Sequence, residues 1–156
     1  MSLDSPKLAA IHGAAYKFGI VAACFNEELV EALLARALAT LRASGVKEKN
    51  VTIVRVPGSH EVPWAAQQLA ARDGRDCVIA LGVLIGGDTN HHEMVGDSVS
   101  HALQGIAVTI GVPVINGVIV ANTLAQAKAR TVGKINRGAE FAGAALAMAA
   151  LKKELS

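Results

Sequence analysis

Four apolar runs, each followed by a stretch with helical spacing, constrain this chain more than any other feature. The runs are Phe18 to Cys24, Val51 to Val56, Cys77 to Ile85 and Pro113 to Ala121, and they read as strands apolar on both faces. After the first, Glu27 to Ala43 places Leu29, Val30, Leu33, Leu34, Ala37, Leu38 and Leu41 at helical spacing, and Gly45 closes that helix. Pro57-Gly58 and a helix from about Glu61 to Arg72 follow the second strand, with Pro63 in the first turn, where its missing N–H is not needed. The third strand feeds a helix from about His91 to Ile110. A short helix, about Thr123 to Arg130, and an Ala-rich helix from Gly138 to Leu151 follow the fourth. Strict alternation of this kind predicts an α/β fold, a three-layer α/β/α sandwich around a four-stranded parallel sheet with flavodoxin-like winding. Ligands of such sheets bind beyond the carboxyl ends of the strands. Here those ends are Cys24-Phe25-Asn26, Pro57 to Glu61, Leu84 to Asn90 and Val120 to Thr123.

A chain of 156 residues is one domain. Its hydrophobic fraction of 52% is high and its charged fraction of 18% low, against about 45–50% and about 25% in ordinary domains. That surplus of apolar surface predicts burial against another subunit. Aromatics are only 3%, so the core must be aliphatic and each aromatic is a candidate for special use. The net charge is +2, with no basic run longer than Lys152-Lys153, which argues against nucleic-acid or membrane-surface partners. Cys24 and Cys77 both fall in predicted strands and read as small buried hydrophobes, not as a disulfide framework. Residues 1–17 lack the continuous apolar region of a signal peptide. The uncharged stretch from Gly105 to Ala125 is broken by Gly111-Val112-Pro113, Asn116, Gly117 and Asn122, so it is not expected to span a membrane. Cytosol is the expected compartment.

The densest chemistry lies in Gly86 to Glu93, GGDTNHHE. A strand that ends in glycines and feeds a helix start offers unpaired N–H groups and a positive dipole end to an anion. Asn90 and Glu93 have the spacing of a capping box. His91 sits on the first turn, and imidazole is the side chain that exchanges protons near neutral pH. The pattern fits an active site for a phosphorylated substrate, or simply a strand–loop–helix junction with a surface histidine. His91-His92-Glu93 is not a metal set, because adjacent helical residues point about 100° apart and the HExxH spacing is absent.

Three further places carry two readings each. Phe25 ends a strand at the ligand edge, as a stacking plate for a planar heterocycle or as a core aromatic. Glu61 could accept hydrogen bonds from a polyol or a ring N–H, or complement a helix dipole. Arg130, Lys134 and Arg137 punctuate a joint that Gly133 and Gly138 allow to bend, as an anion-binding fork or a solvated basic joint. No GxGxxG, Walker A or GxSxG motif occurs, which removes the usual support for dinucleotide, NTP and serine-hydrolase chemistry.

Taken together, five motifs in order resemble the 6,7-dimethyl-8-ribityllumazine synthase family of riboflavin biosynthesis. They are Phe25-Asn26-Glu27, Pro57 to Pro63 (PGSHEVP), Ala80 to Ile85 (ALGVLI), Gly87 to His91 (GDTNH) and Gly111 to Ile115 (GVPVI). The likeness spans roughly residues 18–150 and divides the chain into an N-terminal arm, 1–17, and a synthase domain, 18–156. It implies condensation of 5-amino-6-(D-ribitylamino)uracil with 3,4-dihydroxy-2-butanone 4-phosphate, the penultimate step of the pathway, with no metal and no organic cofactor. Phe25 would stack on the pyrimidine; Ser59, His60 and Glu61 would line the ribityl and ring sites, with Leu84 and Ile85 on the wall. Backbone at Gly87, Asp88 and Thr89 would hold the phosphate together with Arg130, and His91 would move protons. Asn116, Arg130 and Arg137 would come from the adjacent chain of a pentamer.

The chain departs from the family's usual pattern in four respects. His60 and Asn116 stand where aromatics are usual, Arg137 stands for a lysine, and the joint from Arg130 to Arg137 is one residue shorter than the common form. The resemblance further implies a five-fold axis lined by the helix from His91 to Ile110, to which Val95, Val99, Leu103, Ile106 and Ala107 would contribute. Because insertions in that joint tend to block icosahedral closure in the family, a short joint permits a closed shell, and a shell is the expectation. The competing readings are an archaeal-type riboflavin synthase relative and a catalytically silent shell-forming paralogue.

Overall fold

The computed structural model describes residues 6–72 and 74–156. Its sheet is built from β1 (Phe18–Ala23), β2 (Val51–Val56), β3 (Cys77–Ile85) and β4 (Val114–Ala121), all parallel, in the order β2-β1-β3-β4. The helices are α1 (Glu27–Ala43), α2 (Val62–Ala70), α3 (His91–Ile110), α4 (Leu124–Thr131) and α5 (Arg137–Leu155). The three-layer sandwich and the winding read from the alternation are the ones found.

The layers follow from the two-residue period of the strands. Phe18, Ile20 and Ala22 of β1 and Ile79, Leu81 and Val83 of β3 face α1 and α5, where Leu33, Leu41, Phe141 and Leu146 complete one core. The alternate residues Val21, Val78 and Ala80 face α2 and α3, against Val62, Leu69, Val99 and Leu103. Each fully buried Leu, Ile or Val stabilises the sandwich by about 1.5–3 kcal/mol. β1 and β3 are flanked on both sides; β2 and β4 are edges, and β2 carries the exposed Ile53. From residue 6 to 17 the chain runs without strand or helix, and Ile11 and Tyr16 pack on the first core. No described helix is long and apolar enough to cross a membrane.

Several expectations are corrected in detail. β1 ends at Ala23, and Cys24 is exposed, not buried. The Cys24 amide still donates to Val56 O (2.8 Å), but pairing with β3 has already stopped at Ala22. Cys77 is buried as expected, and burial pushes its thiol well above its usual range. Ser59 to Glu61 form a short 3-10 turn, so α2 starts at Val62 and stops at Ala70. β4 begins after Pro113, whose carbonyl accepts from Val78 N. α4 is shifted by one residue, and α5 is longer than expected at both ends. The capping box at α3 is absent: Asn90 makes no side-chain cap, and Glu93 N donates to the Asn90 carbonyl instead. Gly111, at φ 76°, ends α3 in the left-handed conformation that favours glycine.

The apolar stripe of α3 also belongs elsewhere than expected. Val95, Val99 and Leu103 are buried in the chain's own core, so these three are not available to an axis between chains, whereas Ile106, packed against that core, and Ala107 stay half-buried. The opposite face presents Met94 and Val108, 63% and 74% exposed, with the small residues Ser98, Ala102 and Gly105 between them.

Candidate active site

The carboxyl ends of β1, β2 and β3 open into a cleft of about 450 Å³. Phe25 forms one wall and is 73% exposed, which rules out the core-aromatic reading. It is placed by Asn26, whose left-handed backbone (φ 56°) turns the chain into α1. Asn26 spends its side chain across the sheet, donating from Nδ2 to Val83 O (2.8 Å), while its carbonyl receives the amides of Leu29 and Val30. Asparagine tolerates that conformation better than most residues.

The turn after β2 forms the floor. A side chain at Gly58 would crowd Glu61 Oε2 and stand against Phe25, so glycine keeps the floor low. Ser59 is buried, and its hydroxyl finds no partner among the described residues. It occupies the space left by Gly82 on β3, where any side chain would collide with it. An unpaired buried hydroxyl costs about 1–3 kcal/mol, a cost that a ligand entering the cleft can relieve. His60 and Glu61 face the cleft from the same turn, with Nδ1 3.8 Å from Oε1 and both side chains largely open to solvent. Glu61 is also at the start of α2, where its carboxylate complements the helix dipole.

Leu84 and Ile85, half-buried, continue the wall from β3. The loop beyond them is stitched to β4: Gly86 N donates to Ala121 O (2.8 Å), and Asn122 backbone fills the space a Gly86 side chain would need. The next amides, of Gly87, Asp88 and Thr89, donate to no backbone carbonyl among the described residues. With the first turn of α3 they form a row of orphan donors at a positive helix end. Gly87, Thr89 and His91 line the cleft, whereas the Asp88 side chain is exposed outside it. His91 is the first residue of α3 and is exposed. His92 also lines the cleft, 3.5 Å from Asn122 Oδ1 through Nε2, with Nδ1 buried and unpartnered among the described residues. Asn26, Val83, His92 and Val95 are cleft residues that the motif reading did not single out. Asn26 lies inside Phe25-Asn26-Glu27, Val83 inside Ala80 to Ile85 and His92 inside Gly86 to Glu93, so these three carried a motif signal without being assigned a role.

Asn116, Arg130 and Arg137 do not reach this cleft. They line a second one, about 340 Å³, against β4 with Phe141 as its apolar wall. Asn116 is held by Ser100 Oγ and Val118 N. Arg130, in the last turn of α4, donates to Gln126 O (2.9 Å). Arg137 opens α5; its side chain is only 12% exposed, pairs with Glu140, and leaves Nε buried without a partner among the described residues. Lys134 is exposed on the joint. One chain thus carries an amide-and-imidazole cleft and a separate guanidinium cleft. No group of three or more His, Cys, Asp or Glu that could hold a metal occurs among the described residues.

The family model for 6,7-dimethyl-8-ribityllumazine synthase matches residues 15–153. The chain belongs to that family. It is 44% identical over 140 residues to the 6,7-dimethyl-8-ribityllumazine synthase of Aquifex aeolicus (strain VF5), covering 89% of this chain and 91% of that protein. The enzyme of the same name from Halorhodospira halophila (strain DSM 244 / SL1) is 40% identical over 156 residues, 99% of both chains. That of Thermococcus kodakarensis (strain ATCC BAA-918 / JCM 12380 / KOD1) is 41% identical over 143 residues, 92% of this chain and 90% of the other. Family membership covers both clefts, since Phe25 and Arg137 lie well within the matched span.

Proposed function

We infer that this chain condenses 5-amino-6-(D-ribitylamino)uracil with 3,4-dihydroxy-2-butanone 4-phosphate, giving 6,7-dimethyl-8-ribityllumazine, phosphate and water. The observation that carries this is one cleft holding an exposed aromatic, a carboxylate, a row of orphan amides and an imidazole. Phe25 offers its face to the pyrimidine ring. Glu61 and the Ser59 hydroxyl supply polar partners for the ring and its ribityl chain, with His60 beside them. Amides at Gly87, Asp88 and Thr89 receive the phosphate, and Arg130 of an adjacent chain adds a charge-assisted fork. Asn116 and Arg137 of that neighbour close the pyrimidine side.

The chemistry asks mainly for proton transfer. The 5-amino nitrogen attacks the ketone and expels water, forming a Schiff base. Loss of a proton from the adjacent carbon then drives phosphate out, and the enol so formed returns to a ketone. The ribitylamino nitrogen attacks that second carbonyl, and a second loss of water closes the ring. His91, beside the orphan amides, is placed to take and return these protons. Oriented donors hold the leaving anion while excluding other geometries.

This reading makes the unit of function an assembly. The exposed apolar face of α3, together with exposed Trp64 on α2, supports a homopentamer as the smallest complete form. The short joint between α4 and α5 is compatible with further closure into an icosahedral shell. Residues 1–17 would be an arm attached to a synthase domain at 18–156, working in the cytoplasm. The test is to incubate the purified chain with both substrates and follow lumazine fluorescence. Formation above the uncatalysed rate supports the synthase. Background rates would leave a silent shell protein, and dismutation of added lumazine would indicate a riboflavin synthase relative.

A further inference from the structure

We propose that Arg36, which stands on α1 and lines neither cleft, is the positioning residue that sets where Arg130 stands. Its guanidinium forks onto two successive carbonyls, Nη1 to Gly133 O (2.9 Å) and Nη2 to Val132 O (2.8 Å). Those carbonyls follow Arg130 by two and three residues, where the chain leaves α4. A guanidinium suits the negative end of a helix and binds paired acceptors in fixed geometry.

α4 needs such a brace. It has eight residues, too few to hold itself, and only Ala127 and Thr131 are buried. Thr131 turns its hydroxyl back on Ala127 O, within the helix. Arg130 in turn is tied to Gln126 O of the same helix, so its reach follows the α4 backbone. Arg137 has separate anchors. Gly138 beside it is seated on α1, where a side chain would press into Leu33 O and the Arg36 stem, and Glu140 pairs with it directly. Release of the fork therefore frees the end of α4 and moves Arg130 more than Arg137.

The proposal rests on the reading that Arg130 holds the substrate's phosphate, and the experiment separates the two. Arg36→Met keeps the aliphatic stem and loses the fork; Arg36→Lys keeps the charge but cannot serve both carbonyls. Steady-state kinetics with both substrates are combined with competitive inhibition by inorganic phosphate. For Arg36→Met the KM for the butanone phosphate and the Ki for inorganic phosphate should both rise about tenfold, the scale of a charged hydrogen bond lost through misplacement. The KM for the uracil and kcat should stay within about twofold, and Arg36→Lys should fall between, near threefold. In the double variant with Arg130→Ala, the Arg36 effect should vanish. Unchanged Ki in Arg36→Met, or full additivity in the double variant, overturns the positioning role. A purely structural role would reduce the active fraction while leaving both KM values and the Ki unmoved. Should Arg36→Met fail to fold, Arg36→Lys carries the same comparison. If Arg130→Ala itself leaves the Ki unchanged, the phosphate reading has failed, and the positioning role falls with it.

Discussion

The cleft at the ends of β1 to β3 and the cleft against β4 are made of opposite materials. The first offers an exposed ring, orphan amides, a buried hydroxyl without a partner and an imidazole at a helix start. Its polar groups are largely unspent. In the second, Arg130 is tied to Gln126 O, Arg137 to Glu140, and Asn116 to Ser100 and Val118. There, Arg137 Nε apart, the polar groups are already committed to a geometry. On the proposed function, one small domain divides a reaction in this way: the open cleft would receive substrate, and the braced cleft would present charge to a neighbour's open cleft.

The sharpest way to break that division is His91→Ala. Acid–base residues contribute about 10²–10⁴-fold, but these reactants also condense unaided, so a fall in turnover of about ten- to hundredfold is expected with assembly intact. Unchanged kinetics would remove His91 from the open cleft's chemistry. On the other side, Arg130→Ala should raise the KM for the butanone phosphate about tenfold and that for the uracil much less. An equal rise for both would make Arg130 a structural residue.

Mixing the two damaged proteins tests the pairing itself. His91→Ala and Arg130→Ala chains, unfolded together and reassembled at equal amounts, should recover about a quarter of wild-type activity, because half of the chains carry each intact half-site. No recovery would place both halves of the site within one chain. The smallest expected effect concerns accessibility along the same edge. A thiol reagent should modify Cys24 alone in the native protein, and Cys77 only after denaturation. Two reactive thiols in the native state would show that the sheet interior is open.

Much of this molecule could be read from its residues because burial and period are local signals. β3 alternates Ile79, Leu81 and Val83 with Val78 and Ala80, each set feeding a different core, and a run apolar at every position announces that arrangement. The open cleft was legible for a related reason: in a parallel sheet, residues just past strand ends must meet. Cys24 failed because apolar character does not say where pairing stops, and the β1–β3 ladder stops two residues before it. The α3 stripe failed differently. Helical spacing of Val95, Val99 and Leu103 marks a buried face without saying whose core buries it. The separation of Arg130 from His91 on one chain could not be read from spacing at all; only the resemblance placed them on different subunits. Arg36 was invisible because its partners are backbone carbonyls almost a hundred residues away.

The two clefts of one chain share no lining residue, and this has a thermodynamic consequence. On the proposed pairing, a bound phosphate touches two chains at once, so ligand affinity and association affinity are linked quantities. Dilution until neighbours part would strip Arg130 from the cleft of His91 while each sheet remains folded. Activity would then fall with concentration at constant circular dichroism, and saturating substrate would shift that fall to lower concentration. The ligand of such a protein acts as mortar between its subunits.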